Sequence, residues 1–110
     1  MKKNNLITVI IILAIIAFAI FILVKPSSGV SKQTAICIAD KSLLYIQLGC
    51  HACANQEKLF GNSYQYLNKI DCWFERDKCS NITATPTWII NNQTYIGVQS
   101  IEKLRELTGC

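Results

Sequence analysis

Two cysteines separated by two residues are the part of this sequence best suited to chemistry. Cys50 and Cys53 follow an apolar run and enclose His51. A pair with this spacing can cycle between dithiol and disulfide, supply half of a zinc site, or staple a small exported fold. Disulfide exchange needs an exposed thiolate that attacks and a second thiol that resolves the mixed disulfide. The elements around the pair therefore matter.

Apolar patterning places the pair between a strand and a helix. Residues 42–48 are apolar, partly β-branched and aromatic, and precede a glycine, which predicts a buried strand that ends at a turn. Apolar side chains at helical spacing predict a helix over residues 50–60, stopped by Gly61. At the start of that helix, unpaired N–H groups and the macrodipole favour the thiolate of Cys50. Cys53, one turn later, should face inward.

The remaining patterns complete an α/β order of β-α-β-x-β-β-α. They predict a strand over residues 66–71, a hairpin with strands at 87–91 and 93–98, and a final helix that Ser100 caps and Gly109 ends. The domain is predicted to span residues 35–110. A core this small gains from disulfides, so the cysteines also have a purely structural interpretation.

The N-terminal segment predicts one transmembrane helix. Residues 6–24 carry no charge and span about 28 Å as a helix, close to the hydrocarbon thickness of a bilayer. Lys2 and Lys3 favour a cytoplasmic N terminus and an extracytoplasmic domain, so we expect a single-pass protein of the cell membrane. The assignment is an anchor over residues 1–25 and a linker over 26–34. The alternative is a signal peptide cleaved near Ser27, Ser28 and Gly29.

Composition agrees with export. Six cysteines in a chain of 110 residues are rare where glutathione keeps thiols reduced. The net charge of +4 falls to +2 once Lys2 and Lys3 are set aside, and the remaining charges are interspersed, which does not indicate nucleic-acid binding.

Two longer motifs resemble the thioredoxin-like family. They are C-x-x-C-x-x-Q-x-x-L-F-G, beginning at Cys50, and P-T-W-I-I-N followed by T-Y-x-G-V, beginning at Pro86. The resemblance covers roughly residues 43–107. It is closest to the thioredoxin-like, Dsb-type domains that are fused to, or partnered with, vitamin K epoxide reductase-like membrane proteins. The fold that it implies is a compact thioredoxin-like domain.

The resemblance implies roles for residues around the pair. It implies a cis peptide bond between Thr85 and Pro86, packed beside the active-site disulfide, with the Thr85 backbone free to pair with an extended substrate. Relatives that oxidise exported proteins commonly carry Pro-His between their cysteines, whereas this chain carries His51-Ala52. His51 is either a group that stabilises the Cys50 thiolate or an exposed bystander. Glu57 is either a proton acceptor or a solvated carboxylate.

The other four cysteines have open connectivity from the sequence alone. On a continuous helix Cys72 and Cys79 would lie about 10.5 Å apart, too far for a disulfide, so a bridge requires a loop or a broken helix. The resembled family implies such a second pair, structural or electron-relaying, and we favour the structural role. A bridge between Cys37 and Cys110 would tie the last helix to the start of the domain.

The function expected from these features is a membrane-anchored thiol–disulfide oxidoreductase. Its substrates are expected to be exported proteins, with no cofactor or metal, and the resemblance implies a quinone-linked, vitamin K epoxide reductase-like membrane partner. The direction of electron flow is not encoded in the motif. The alternative is a non-catalytic interaction domain, stapled by disulfides or holding zinc through the C-x2-C and C-x6-C pairs.

Overall fold

The computed structural model describes residues 2–23 and 29–110, and within them a mixed α/β fold. These residues form four α-helices, four strands and two 3-10 segments, and the 3-10 segments lie at Gly61–Tyr66 and Arg76–Cys79. In chain order they are α1 (Lys2–Leu23), α2 (Lys32–Lys41), β1 (Ser42–Ile46), α3 (His51–Phe60), β2 (Lys69–Asp71), β3 (Thr87–Ile90), β4 (Gln93–Ile96) and α4 (Ile101–Thr108). From β1 onward this succession is the predicted one.

The sheet is mixed, with the strand order β2-β1-β3-β4. β1 and β2 run parallel, and β3 is antiparallel to both β1 and β4. The predicted hairpin is confirmed: Asn91 and Asn92, both with positive φ, join β3 to β4. Ile46 pairs with Asp71 and Tyr45 with Thr87, so β1 and β2 end where β3 begins. One edge of the sheet therefore collects the loops that follow β1 and β2 and the loop that precedes β3.

The core lies between one face of the sheet and the helices of the domain. Leu44, Trp88 and Ile90 are buried on the sheet and belong to one cluster with side chains of α2, α3 and α4. The rings of Phe60 in α3 and Trp88 in β3 lie 6.0 Å apart, centroid to centroid. Burying these two large aromatic side chains, each worth about 1.5–3 kcal/mol, holds α3 on the sheet.

A helix before β1 was not predicted. Ser31 caps α2 by accepting the Thr34 N–H at 3.3 Å, and α2 buries Ala35, Ile38 and Ala39 at helical spacing. Its first three residues, Lys32 to Thr34, are polar and lie within the predicted linker. The linker predicted over residues 26–34 is therefore partly wrong, because 32–34 belong to α2.

The residues just before α2 also pack on the domain. The Val30 N–H donates to the Phe60 carbonyl at 3.4 Å, and the Ser63 hydroxyl donates to the Val30 carbonyl. Contacts with the domain therefore include Val30, five residues before the predicted start at residue 35. Residues 26–28 of the predicted linker, the end of the predicted anchor and the expected cleavage site at Ser27 and Ser28 lie outside the described residues.

β2 is shorter than predicted. Residues 61–66 form a 3-10 segment, in which the Leu67 N–H donates to the Tyr64 carbonyl, and pairing with β1 begins only at Lys69. The Lys69 ammonium donates to the Tyr64 carbonyl at 2.8 Å. Tyr66, the first residue of the predicted strand, packs beside the core instead.

α1 carries no charged residue from Leu6 to its end at Leu23; it has no buried residue and a mean hydropathy of 3.4 over its most apolar window. Among the described helices it alone is long and apolar enough to cross a membrane. A signal sequence near an N terminus meets the same criterion, so the anchor and the cleaved segment both fit this helix.

Candidate functional site

The predicted cysteine pair lies at the sheet edge where the three loops meet. β1 ends at Ile46, and the chain turns through Gly49, whose φ of 82° favours glycine, into α3. The Cys50 N–H donates to the Gln47 carbonyl at 3.1 Å, which closes the turn. Cys50 thus occupies the N-cap of α3, one residue before the helix begins.

Cys50 and Cys53 form a disulfide, with 5.2 Å between their Cα atoms. Cys53 is buried, whereas Cys50 is only half-buried. The Cys53 N–H donates to the Cys50 sulfur at 3.1 Å, as an N-cap side chain accepts from the first turn of a helix. The sulfur at the helix terminus is therefore the more accessible of the two and is already bound by a backbone donor.

Thr85 closes the site from the opposite side. Its hydroxyl donates to the Cys50 sulfur at 3.4 Å, and its carbonyl oxygen lies 3.5 Å from the same sulfur. The Thr85–Pro86 peptide bond is cis, as the resemblance implied. The Thr87 hydroxyl donates to the Ala84 carbonyl at 2.6 Å, and the Gly97 N–H donates to the Pro86 carbonyl at 2.8 Å. These bonds fix the loop that presents Thr85.

His51 and Glu57 are exposed and line one cleft of about 400 Å³ with both cysteines. No hydrogen bond joins the His51 imidazole to the Cys50 sulfur within the described residues, so the structure favours neither of the two interpretations of His51. Tyr64 also lines the cleft. Burial, assisted by the Glu57 and Asp71 carboxylates, raises the pKa of Tyr64 to about 12, so its hydroxyl stays neutral.

Gln56 has a positioning role that was not predicted. It is fully buried, and its side-chain oxygen accepts the Trp88 indole N–H at 3.0 Å and the Gln99 N–H at 2.8 Å. Its amide donates to the Gln99 carbonyl at 3.0 Å. Gln56 thereby joins the helix behind Cys53 to β3 and to the loop before α4. The sequence signal was a glutamine on the apolar face of a helix.

Cys72 and Cys79 also form a disulfide, with Cα atoms 5.7 Å apart. A turn and the 3-10 segment Arg76–Cys79 replace the continuous helix that would have separated them. The Cys72 N–H donates to the Ile46 carbonyl at 2.8 Å, so this bridge starts at the sheet edge that carries the first pair. It lines a second cleft, of about 320 Å³, together with Thr85.

Cys37 and Cys110 form the third disulfide, with Cα atoms 6.0 Å apart. It joins α2 to the end of the chain, and the Lys41 ammonium supports the same contact by donating to the Thr108 carbonyl at 2.9 Å. Neither sulfur lines the clefts beside Cys50. The bridge ties α2 to the segment after α4 and is separate from the site.

The zinc alternative finds no support in the geometry. Cys50 bonds to Cys53 and Cys72 to Cys79, and nowhere in residues 2–23 and 29–110 do three Cys, His, Asp or Glu side chains converge as metal ligands. A comparison with models of known protein families finds no match to the chain.

Proposed function

We propose that this protein is a thioredoxin-like thiol–disulfide oxidoreductase that uses the Cys50–Cys53 couple. The observation that carries the proposal is the placement of the half-buried Cys50 sulfur at the N terminus of α3, between the Cys53 N–H and the Thr85 hydroxyl. Both donors stabilise a negative charge on that sulfur more than a neutral thiol, and the helix terminus adds to the effect.

The exchange follows from the accessibility of the two sulfurs. In the reduced protein the Cys50 thiolate attacks a substrate disulfide, forms a mixed disulfide and releases one substrate thiolate. Cys53 loses its proton and attacks the Cys50 sulfur, which releases the second substrate thiolate and restores the Cys50–Cys53 bond. The substrate gains two electrons and the protein loses two. The same steps in reverse oxidise a substrate dithiol.

Thr85 is suited to hold the substrate during this exchange. It is half-buried at the entry to β3, with its carbonyl beside the reacting sulfur. Within the described residues its N–H donates to no protein acceptor. An extended substrate segment that pairs with this backbone would bring its own cysteine against Cys50, as an added β-strand does in other peptide sites.

We propose that the domain acts outside the cytoplasm, with α1 as the membrane anchor and with Lys2 and Lys3 on the cytoplasmic side. Three disulfides suit an oxidising compartment. The substrates proposed are thiols and disulfides of exported proteins. The proposed redox partner, a vitamin K epoxide reductase-like, quinone-linked membrane protein, rests on the resemblance of the motifs alone.

The test is to trap the mixed disulfide. In Cys53→Ala the resolving thiol is absent, so we expect adducts with exported proteins or cysteine peptides that reductant releases. The double variant Cys50→Ala, Cys53→Ala is the control and should give none. Adducts that form through Cys53 when only Cys50 is replaced would reverse the assigned roles. If neither single variant forms adducts, the non-catalytic interaction domain becomes the better interpretation.

The equilibrium potential of the pair then gives its direction. A value near about −120 mV indicates an oxidant and one near about −270 mV a reductant.

A further inference from the structure

We propose that the cleft between the Cys72–Cys79 loop and Thr85 binds the substrate segment next to the reacting cysteine, and that Arg76 selects an acidic side chain there. This inference rests on the proposed function and adds a substrate class to it. We call this cleft the Arg76 cleft; residues that line it include Gln47, Arg76, Ile82 and Thr83.

The position of the Arg76 cleft follows from Thr85, which belongs to both sites. The Thr85 side chain and carbonyl contact the Cys50 sulfur, and Thr85 also lines the cleft. A chain that pairs with the Thr85 backbone while its cysteine is bonded to Cys50 must continue past Thr85. At about 3.3 Å per residue, a neighbour one or two positions from that cysteine reaches the cleft.

The volume and rigidity of the Arg76 cleft suit a peptide side chain. Its volume of about 320 Å³ lies at the lower end of the range for small-ligand sites. The Cys72–Cys79 bridge fixes one wall. The Asp71 carboxylate fixes the start of the same wall by accepting the N–H groups of Leu48 at 3.3 Å and Trp73 at 2.9 Å. The site is thus largely formed before a substrate binds.

Arg76 is the one charged residue among those that line the cleft. Its guanidinium lies 5.2 Å from the centre of the Trp73 ring, which orients the planar group. Within residues 29–110 no carboxylate lies at ion-pair distance from Arg76. The nearby Glu75 carboxylate pairs with Lys78 at 2.7 Å instead.

An unpaired guanidinium at the mouth of a peptide cleft favours a carboxylate, which it binds through two parallel N–H groups. Because Arg76 is exposed, the preference should be moderate and should weaken with salt. We expect about a 1.5- to fivefold difference in rate between the acidic and the neutral substrate, the range of an exposed ion pair.

The experiment measures how fast the oxidised full-length protein, in detergent micelles, oxidises three dicysteine peptides. The peptides are identical except for Glu, Gln or Lys at the two positions that flank the first cysteine. Dithiothreitol, an uncharged dithiol, provides the baseline. The variants are Arg76→Gln and Arg76→Glu, and Lys58→Gln is the matched control, which removes a positive charge from the exposed face of α3, outside both clefts.

We expect the wild type and Lys58→Gln to oxidise the Glu peptide fastest and the Lys peptide slowest. Relative to the dithiothreitol rate of the same variant, Arg76→Gln should remove the difference and Arg76→Glu should reverse it. Lys58→Gln should keep the wild-type rate with dithiothreitol. If the protein oxidises dithiothreitol but oxidises the three peptides at equal rates, the assignment of Arg76 is overturned. A preference that survives Arg76→Gln overturns it as well. Failure to oxidise any dithiol overturns the proposed function itself, and the substrate class with it.

Discussion

Removing the Cys37–Cys110 disulfide should destabilise the fold more than removing the Cys72–Cys79 disulfide, because the two bridges close loops of very different length. Cys37 and Cys110 are 73 positions apart, whereas Cys72 and Cys79 are 7 apart. A cross-link lowers the conformational entropy of the unfolded chain, and this effect grows with the logarithm of the loop length. The double variants are Cys37→Ala with Cys110→Ala, and Cys72→Ala with Cys79→Ala.

The chain-entropy relation gives both magnitudes. It predicts a loss of about 4.4 kcal/mol in the free energy of unfolding without Cys37–Cys110, and about 2.4 kcal/mol without Cys72–Cys79. The difference, about 2 kcal/mol, depends only on the ratio of the loop lengths. Packing adds to the larger loss, because Cys110 lies against the hydrophobic core.

Urea unfolding of the oxidised full chain in detergent micelles measures both losses, by linear extrapolation to water. The slope against urea should rise in the variant without Cys37–Cys110, because its unfolded chain exposes more surface. Equal losses, or a larger loss without Cys72–Cys79, would refute the loop-length argument and make that bridge a source of native-state packing energy.

Two further predictions concern buried contacts. Gln56→Met keeps the length of the side chain but leaves the Trp88 indole N–H and the Gln99 N–H without their acceptor, so unfolding should become easier by about 2–6 kcal/mol. Gly29→Ala should cost about 1–3 kcal/mol, because a Cβ at Gly29 would lie 2.8 Å from the Phe60 carbonyl oxygen.

The same urea assay measures both, with controls on neighbouring exposed positions. Asn55→Met, one residue before Gln56, and Gln33→Ala, in the first turn of α2, should change stability by no more than about 0.5 kcal/mol. If Gln56→Met is as stable as its control, the Gln56 hydrogen bonds contribute nothing net. If Gly29→Ala is neutral, the segment before α2 does not pack on Phe60 in solution.

Local signals in the sequence predicted the parts of the site that local structure determines. The glycine before Cys50, the apolar positions of α3 and the asparagines of the hairpin each impose a backbone geometry that neighbouring residues cannot easily override. The strand that ends before Cys50 and the helix that begins after it follow from those signals. The contact of Thr85 with Cys50 joins distant segments, and only the resemblance of the motifs pointed to it.

Features set by packing were harder to predict. α2 contributes small residues such as Ala35 and Ala39, whose helical pattern is weak, and it becomes a stable helix because the sheet and α4 cover it. Gln56 has a polar side chain, yet its amide is buried because Trp88 and the backbone of Gln99 provide its hydrogen-bond partners. Burial of a polar group depends on partners that are remote in sequence.

The first described residues of the domain pack at the end of α3 that lies away from the disulfide. Val30 binds the carbonyl of Phe60, at the last residue of α3, whereas Cys50 caps the first turn of the same helix. The ten residues of α3 separate these two ends by about 15 Å. Val30 therefore packs at the end of α3 that lies away from the sheet edge with Cys50 and Thr85. We therefore expect a substrate to reach the disulfide without displacing the segment at Val30.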